Sequence, residues 1–248
     1  MTWVIWNGKG GCGKTTTAVG LAGELATRGT PVTLIDLDSQ TNATTWLLSE
    51  LPDGPGALEL LTGRATLDEA SYPVPGLEAL RVVPASPRLA RIAVELEDDP
   101  VPQLALRRAI SDTTSTIVLD TPPAFGELPV MALAAATRHV VPLRPAALDL
   151  DAAQQSLRRA DAVRTQLNPD LRLAGFVLCA YDARTTVAAA TEQALKRAYP
   201  DLPVIRIPAA VAVTMAPGAH QLITDYAPLS PAALATEHAA LTLTGAAK

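Results

Sequence analysis

Short apolar runs alternate with longer segments of helical periodicity along nearly the whole chain of 248 residues. Seven runs are predicted to be strands, at residues 3–6, 32–37, 80–83, 116–119, 139–143, 173–178 and 203–207. Helices are predicted at residues 15–28, 89–110, 129–137, 150–167, 187–199 and 231–241. Several strands are almost continuously apolar, which is typical of strands buried on both faces. The alternation therefore predicts an α/β fold with a mostly parallel, twisted sheet and helices on both faces.

One segment interrupts this alternation. Residues 51–75 contain two prolines and two glycines between positions 52 and 56, and a further glycine at position 63. Because Pro and Gly break regular elements, the segment is predicted to be irregular surface structure around one short helix. It is too short to bury a core of its own, so a single domain is expected over residues 1–248.

Composition excludes several classes of protein. Apolar residues make up 48% of the chain and charged residues 18%, which excludes a disordered chain, a coiled coil and a fibrous protein. The net charge of −5 is, as a total, unlike the basic excess of a general nucleic-acid binder. Two distant cysteines provide neither a disulfide framework nor a CxxC pair. With no signal peptide and no run of about 18 apolar residues, a cytoplasmic protein is expected.

Residues 8–15 read Gly-Lys-Gly-Gly-Cys-Gly-Lys-Thr and fit the pattern G-x-x-x-x-G-K-[ST], between a predicted strand and a predicted helix. Glycines let the backbone curl so that successive N–H groups point into one concavity, and the positive end of the following helix attracts a phosphate. In this arrangement Lys14 reaches the terminal phosphates and Thr15 binds Mg²⁺. The candidate phosphate-binding residues are Gly8, Lys9, Gly10, Gly11, Cys12, Gly13, Lys14, Thr15 and Thr16. The alternative is a glycine-rich turn without a ligand.

Three acids lie at the ends of predicted strands, where parallel strands face a ligand crevice. Asp120 follows the apolar run 116–119 and is assigned to the magnesium shell. Asp36 and Asp38 share one face of the second strand, so that one can serve the metal's water shell while the other orients the attacking water. The alternatives are a carboxylate that caps a turn for Asp120, and surface acids on a turn for the other two.

Several segments resemble, in the same order, the motifs of one family. They are K-G-G-C-G-K-T at residues 9–15, D-L-D-S-Q-T-N-A-T at 36–44, D-T-P-P at 120–123, Y-D-A-R-T at 181–185, and I-P and A-P at 207–208 and 216–217. The first is similar to the deviant Walker A motif, with Lys9 as its signature lysine, and the third to Walker B. The second is similar to D-x-D-P-Q-G-N-A-T, with Ser39 for Pro and Thr41 for Gly. The chain thus resembles the ParA/MinD superfamily, in its Soj-like ParA partition branch.

The resemblance implies a single-domain P-loop NTPase in which ATP and Mg²⁺ drive formation of a sandwich homodimer. Lys9 of one subunit would reach the phosphates held by the other, and Lys14 and Asp38 would complete the catalytic residues, with Asp38 positioning the hydrolytic water. Asp36 would belong to the magnesium shell, and Pro208 would line the adenine pocket. A cation supplied in trans makes hydrolysis and dimerisation one switch.

DNA binding is implied by the same resemblance, but the residues that carry it are only partly present. Arg184 keeps the arginine of the family's D-A-R-T segment, whereas residues 207–212 read I-P-A-A-V-A where the family has I-P-R-N-V-R. Residues 138–206 hold 10 basic and 7 acidic side chains, a net charge of +3, against −7 for residues 1–137. Arg158, Arg159 and Arg184 are therefore the candidate DNA contacts. The alternative for these arginines is a solvated polar face.

Other branches of the superfamily fit less well. Residues 231–248 have one Lys and no Trp or Phe, so the amphipathic membrane anchor of MinD proteins is not expected. The two cysteines do not match the paired ligands of iron–sulfur reductases, and the chain begins on its first strand, so no N-terminal helix-turn-helix domain is expected.

The leading hypothesis is a partition ATPase that binds DNA non-specifically as an ATP-bound homodimer, is stimulated by a ParB-like centromere-binding protein and associates with the nucleoid. Two alternatives remain open. One is a ParA-like ATPase that positions a protein cargo; the other is a nucleotide-dependent dimerisation switch that does not bind DNA, which the missing arginines motivate.

Overall fold

In the computed structural model, which describes residues 1–245, eight strands form one sheet. They are β1 (Thr2–Ile5), β2 (Val32–Asp36), β3 (Tyr72–Val74), β4 (Leu77–Val83), β5 (Thr116–Asp120), β6 (Arg138–Leu143), β7 (Arg172–Tyr181) and β8 (Val204–Pro208). The strand order is β3-β4-β2-β5-β1-β6-β7-β8, and every neighbouring pair is parallel except β3 with β4. The predicted mostly parallel sheet is therefore confirmed.

Helices cover both faces of this sheet. They are α1 (Lys14–Thr27), α2 (Asn42–Leu47), α3 (Ala57–Leu61), α4 (Leu67–Ala70), α5 (Ile92–Glu95), α6 (Ala105–Ala109), α7 (Glu127–Ala135), α8 (Ala147–Gln166), α9 (Thr186–Ala198), α10 (Val211–Met215), α11 (Ile223–Tyr226) and α12 (Pro231–Thr244). One apolar core lies between the sheet and α1, α2, α11 and α12. On the opposite face, α3 to α8 cover the β1, β2 and β5 half, and α8 and α9 cover β6 and β7. Among the described residues, none of the helices is both long and apolar enough to span a membrane.

All seven predicted strands are present, each shifted by a few residues at most. The edge strand β3 was missed because it has only three residues and contains Pro73, which lacks the N–H that a strand signal assumes. β3 pairs antiparallel with β4, and such a short, proline-containing edge strand is a poor template for pairing with another chain.

The helix predicted at residues 89–110 is wrong. The chain there forms a 3₁₀ turn at Pro87–Arg91, the short α5, a second 3₁₀ turn at Pro102–Leu104 and the short α6. Pro100 and Pro102 remove two backbone donors and disfavour helical geometry in the residues before them. Residues 51–75 likewise hold two short helices, α3 and α4, rather than the one expected.

The topology brings the ends of three strands together. In the register of the sheet, Asp120 of β5 pairs with Asp36 of β2 on one side and with Ile5 of β1 on the other. Since the strands are parallel, the loops that follow β1, β2 and β5 leave the sheet at the same edge. Strands β6, β7 and β8 extend this edge on the far side of β1.

Candidate nucleotide-binding and active site

The loop between β1 and α1, which we call the P-loop (residues 8–15), needs glycine for two reasons. Gly11 and Gly13 have φ angles of 69° and 95°, in the left-handed region that glycine adopts without strain. A Cβ on Gly13 would lie 2.5 Å from Cys179 Sγ, because the loop rests directly on the end of β7. Gly13 is also the N-cap of α1 and offers no capping side chain, so the first N–H groups of this 14-residue helix are left for an anion.

Two side chains that sequence reasoning missed hold the start of the P-loop. Asn7 is buried, and its Nδ2 donates to the carbonyl of Pro142 at 2.8 Å. Ser156 on α8 accepts a hydrogen bond from Gly8 N at 2.9 Å and lies 3.0 Å from Asn7 Oδ1. In the sequence Asn7 directly precedes the glycine-rich segment, which is a local signal, but Ser156 lies 148 residues from Gly8 and carried none.

Lys14 is the buried cation of the loop. Its Nζ donates to the carbonyl of Lys9 at 2.8 Å, across the concavity that the P-loop encloses. An ammonium group that is buried needs such a partner. A phosphate in this concavity offers Nζ a stronger, charge-assisted partner than the neutral carbonyl.

Lys9 points elsewhere. Its ammonium forms an ion pair with Asp149 in the first turn of α8. The side chain of Asp149 is 4% exposed, and that of Lys9 is 37% exposed. The other oxygen of Asp149 accepts from Arg144 N at 3.3 Å. Asp149 was not among the predicted site residues, because only the folded chain brings it next to a lysine 140 residues away.

The two strand-end acids at the centre of the site are buried in different ways. Asp36 Oδ1 accepts from Asp38 N at 3.0 Å, and Oδ2 accepts from the N and Oγ1 of Thr44 at 2.9 and 2.7 Å. Asp120 Oδ2 has no hydrogen-bond partner among the described residues. Burial raises the pKa of Asp36 to about 6, and burial together with the charge of Asp36 raises the pKa of Asp120 well above its ordinary value.

The free oxygen of Asp120 fits a magnesium site. A buried carboxylate oxygen without a donor is costly, and a hard cation removes that cost. Among the described residues, no cluster of three or more His, Cys, Asp or Glu side chains could hold a metal ion alone. This agrees with the way proteins hold Mg²⁺, by one or two protein oxygens, waters and the phosphates of a nucleotide. Thr15 and Asp120 are the first candidates, while Asp36, with both oxygens already bonded, suits a water-mediated position.

A cavity of about 550 Å³ opens above the P-loop. Its wall includes Gly11, Gly13, Lys14, Thr15, Thr16, Asp38, Gln40, Asn42, Pro123, Arg144, Cys179, Ala180, Ile207, Pro208, Ala209 and Ala210. Pro208, predicted to line an adenine pocket, thus lies in the same wall as the phosphate-binding residues. Asp38 faces the cavity with Oδ1 held by Gln40 N at 3.0 Å. Arg144, which sequence reasoning missed, adds an exposed cation to this wall.

Similarities to known proteins identify the family of the chain. A family model described as an AAA domain, AAA_31, matches residues 2–173. The chain is 39% identical over 229 residues to the chromosome-partitioning ATPase Soj of Thermus thermophilus, across 92% of this chain and 88% of that protein. The chain belongs to the ParA/MinD superfamily, in its Soj-like branch. It is also 33% identical over 204 residues to the sporulation initiation inhibitor protein Soj of Bacillus subtilis, across 79% of each protein.

A solved structure has the same fold with a nucleotide bound. Cobyrinic acid a,c-diamide synthase from Mycobacterium smegmatis, with bound ATP analogue and magnesium, has a TM-score of 0.81 and 29% identity to the chain. The similarity covers 96% of this chain and 92% of that one. The predicted membership of the ParA/MinD superfamily and the predicted P-loop NTPase fold are both confirmed.

One departure from the ParA pattern has a visible structural effect. Thr41 occupies the position of a family glycine and has a φ angle of 57°, the left-handed conformation that a β-branched residue rarely adopts. Such strain costs on the order of 1–3 kcal/mol and persists only where the surroundings hold it. Here Thr41 N donates to the carbonyl of Asp38 at 2.8 Å. This hydrogen bond helps to hold Thr41 in the left-handed conformation, directly after the loop of Asp38.

The arginines proposed for DNA binding lie on separate surfaces of this ParA-family fold. The side chain of Arg184 is 89% exposed and pairs with Asp182 at 2.7 Å. Arg159 stacks over the ring of Phe125 at 4.8 Å, beside the P-loop. Arg158 faces the other flank of α8, toward α9. Arg158 and Arg159 are therefore not brought together, although they are neighbours in sequence.

Proposed function

We propose that the protein is a Mg²⁺-dependent ATPase that acts in partitioning and that alternates between a monomer and an ATP-bound homodimer. One observation carries the proposal: Lys9, the signature lysine, is absent from the described wall of its own nucleotide cavity and is held outside it by Asp149. The side chain of Lys9 is also 37% exposed, so that a second subunit can reach it. A cation so placed serves a neighbouring subunit better than its own.

Exposed apolar side chains along the same edge of the sheet support a second copy as the partner. Leu148 and Val211 are each 76% exposed, Met215 is 51% exposed and Phe125 is 39% exposed. They follow the carboxyl ends of β6, β8 and β5, the edge at which the cavity opens. Apolar side chains gathered around a ligand site are typical of an interaction surface.

In the dimer, each group has a separate task. Lys14 in cis and Lys9 in trans neutralise charge that develops on the phosphates, as catalytic cations do in other P-loop enzymes. Asp38, fixed by Gln40 N, orients the attacking water. Thr15 and Asp120 would hold Mg²⁺, which would offset the negative charge of the phosphates.

Three substitutions test this assignment. Lys14→Ala removes the cation inside the concavity, so ATP binding measured by calorimetry falls below detection. Lys9→Ala leaves ATP binding within about twofold, because the side chain lies outside the cavity, but abolishes the ATP-dependent dimer seen by light scattering. Asp38→Ala keeps the dimer and loses hydrolysis.

The outcomes separate the parts of the proposal. Unchanged ATP affinity in Lys14→Ala contradicts the phosphate site. An ATP-bound dimer in the double variant Lys9→Ala/Asp38→Ala contradicts the role in trans, since hydrolysis cannot then explain any loss of dimer. A normal rate of ATP hydrolysis in Asp38→Ala contradicts the water-positioning role.

Non-specific DNA binding and a ParB-like stimulating partner complete the proposed partition function, with location on the nucleoid. Arg184 is the strongest candidate contact because its side chain is exposed. The test is retention of ATP-loaded protein on non-specific duplex across a salt series. Arg184→Glu should weaken retention, and Arg88→Glu, also exposed and singly paired, is the matched control.

A second candidate is a dimerisation switch that does not bind DNA. It is favoured by the absence of basic residues from positions 207 to 247 and by the separate directions of Arg158 and Arg159. No retention at low salt would select this candidate. Equal retention of the two variants Arg184→Glu and Arg88→Glu would contradict only the role of Arg184 as a DNA contact. Stimulation of the ATPase by a protein other than a centromere-binding one would instead select cargo positioning.

A further inference from the structure

A groove runs between α8 and α9, away from the nucleotide cavity. It encloses about 810 Å³ and begins near the amino-terminal ends of β6 and β7, the opposite edge of the sheet from the P-loop. Leu171 and Leu195 are buried in its floor, and Leu150, Leu157 and Tyr199 are half-buried there. The floor of the groove is therefore mainly apolar.

The rim of the groove is cationic. Arg158, Arg164 and Arg172 line it with exposed side chains, and the described wall contains one acid, Asp161, which pairs with Arg164 at 2.7 Å. Arg158 has no ion-pair partner among the described residues, which leaves its charge free for another molecule. His139 also contributes to the wall but is buried in neutral form, since burial lowers its pKa to about 4. The wall thus carries three positive charges against one negative.

The length of the groove along α8 matches that of a short helix. The lining residues of α8 run from Leu150 to Arg164, a length of about 21 Å at about 1.5 Å per residue. A helix of about 14 residues spans this length, and apolar side chains at i, i+3 or i+4, and i+7 would cover the leucine floor. Duplex DNA would meet the arginines but leave that floor exposed, so charge and apolar surface together favour a peptide.

We propose that the groove between α8 and α9 binds an acidic amphipathic helix of a partner protein, with its apolar face on the leucine floor and its carboxylates against Arg158 and Arg172. The inference goes beyond the proposed ATPase function, because it needs neither nucleotide nor dimer. It does bear on that function through α8: the helix that forms one wall of the groove also holds Gly8 through Ser156 and Lys9 through Asp149.

The experiment uses the full chain without nucleotide and a fluorescein-labelled helical peptide of about 14 residues, with Leu at i, i+3 or i+4, and i+7 and Glu on both flanks. Binding is followed by fluorescence anisotropy at low and moderate salt. The comparison peptides are the same sequence with Lys for every Glu, and a scrambled sequence of equal composition. Short duplex DNA is added as a competitor.

The test variant is Arg158→Glu/Arg172→Glu. Its matched control is Arg88→Glu/Arg91→Glu, two exposed arginines with the same total charge change on another surface. The acidic peptide should bind, and its affinity should fall at least about tenfold in the test variant, in the scrambled peptide and in the Lys peptide. The control variant should bind as the parent does. Because the exchanged side chains are exposed, both variants should keep the parent's thermal unfolding.

Five results would overturn the proposal. They are absence of acidic-peptide binding at low salt, unchanged binding to the test variant, equal binding of the Lys or scrambled peptide, equal loss in the control variant, and displacement of the peptide by duplex DNA. The last result would assign the groove to nucleic acid. None of these results would bear on the proposed nucleotide site, because that site is tested separately by ATP binding of the P-loop variants.

Discussion

His139 should make the folded protein sensitive to mild acid. His139 lies on β6 and is 2% exposed. Its Nε2 atom lies 3.0 Å from the carbonyl oxygen of Trp6, which follows β1 and precedes the P-loop. Burial lowers the pKa of His139 from 6.5 to about 4. The folded state therefore keeps this imidazole neutral at a pH where the unfolded chain protonates it.

Proton linkage gives the direction and the size of the change in the free energy of unfolding with pH. Above about pH 6.5 both states are neutral at His139, so it adds nothing to the pH dependence. Between about pH 6.5 and 4 the unfolded state holds the extra proton, and the free energy of unfolding falls as the pH falls. At about 1.4 kcal/mol per pH unit the complete loss is roughly 3.4 kcal/mol, of which roughly 2 kcal/mol is reached at about pH 5.

The assay is urea unfolding of the parent and His139→Gln at neutral pH and near pH 5, in the absence of nucleotide. Asp36, whose pKa is raised to about 6 by burial, changes stability in the opposite direction, but it does so equally in both proteins and cancels in the comparison. The parent should lose roughly 2 kcal/mol more than His139→Gln on acidification. His220→Gln is the control, since His220 is an exposed histidine outside the core. Equal acid sensitivity of the parent and His139→Gln would refute the reasoning.

The site supports three further predictions. Asp149→Asn removes the ion pair that holds Lys9, which is worth about 1 kcal/mol, so the dissociation constant of the dimer formed with a non-hydrolysable ATP analogue should fall roughly fivefold. An unchanged dissociation constant in light scattering would count against this expectation. Arg144→Ala should weaken ATP and ADP by roughly tenfold in calorimetry, with partial recovery in Arg144→Lys, whereas equal affinities would exclude a phosphate contact. Gly13→Ala drives a Cβ into Cys179 Sγ and should cost about 1–3 kcal/mol in urea unfolding as well as ATP binding; a stable, ATP-binding variant would contradict the close contact.

The parallel core of the fold could be predicted because its strands are apolar on both faces. Residues 32–36 are buried at every position, so the run is readable without knowing its neighbours. The P-loop could equally be predicted, because its glycines and Lys14 form a pattern within eight consecutive residues between a strand and a helix. The short edge strand β3 and the broken helices between 87 and 109 could not, since proline and pairing with β4 decided them.

The remaining site residues depend on contacts that a single sequence does not contain. Lys9 meets Asp149 and Gly8 meets Ser156 only after α8 has packed against the sheet. The surroundings of Arg158 and Arg159 could not be predicted either, although the two residues are neighbours in sequence. Neighbours on a helix point about 100° apart, so these two candidate DNA contacts lie apart, one lining the groove and the other over Phe125.

The P-loop is clamped before any ligand arrives: its Gly13 rests on Cys179 at the end of β7, and its Gly8 is tied to Ser156 of α8. The conformational entropy of this loop is therefore lost when the chain folds, not when a nucleotide binds. Association should accordingly be fast and free of a slow ordering phase in stopped-flow measurements. Nucleotide affinity also becomes linked to the rigidity of β7 and α8, so that loosening either element weakens binding without touching a phosphate.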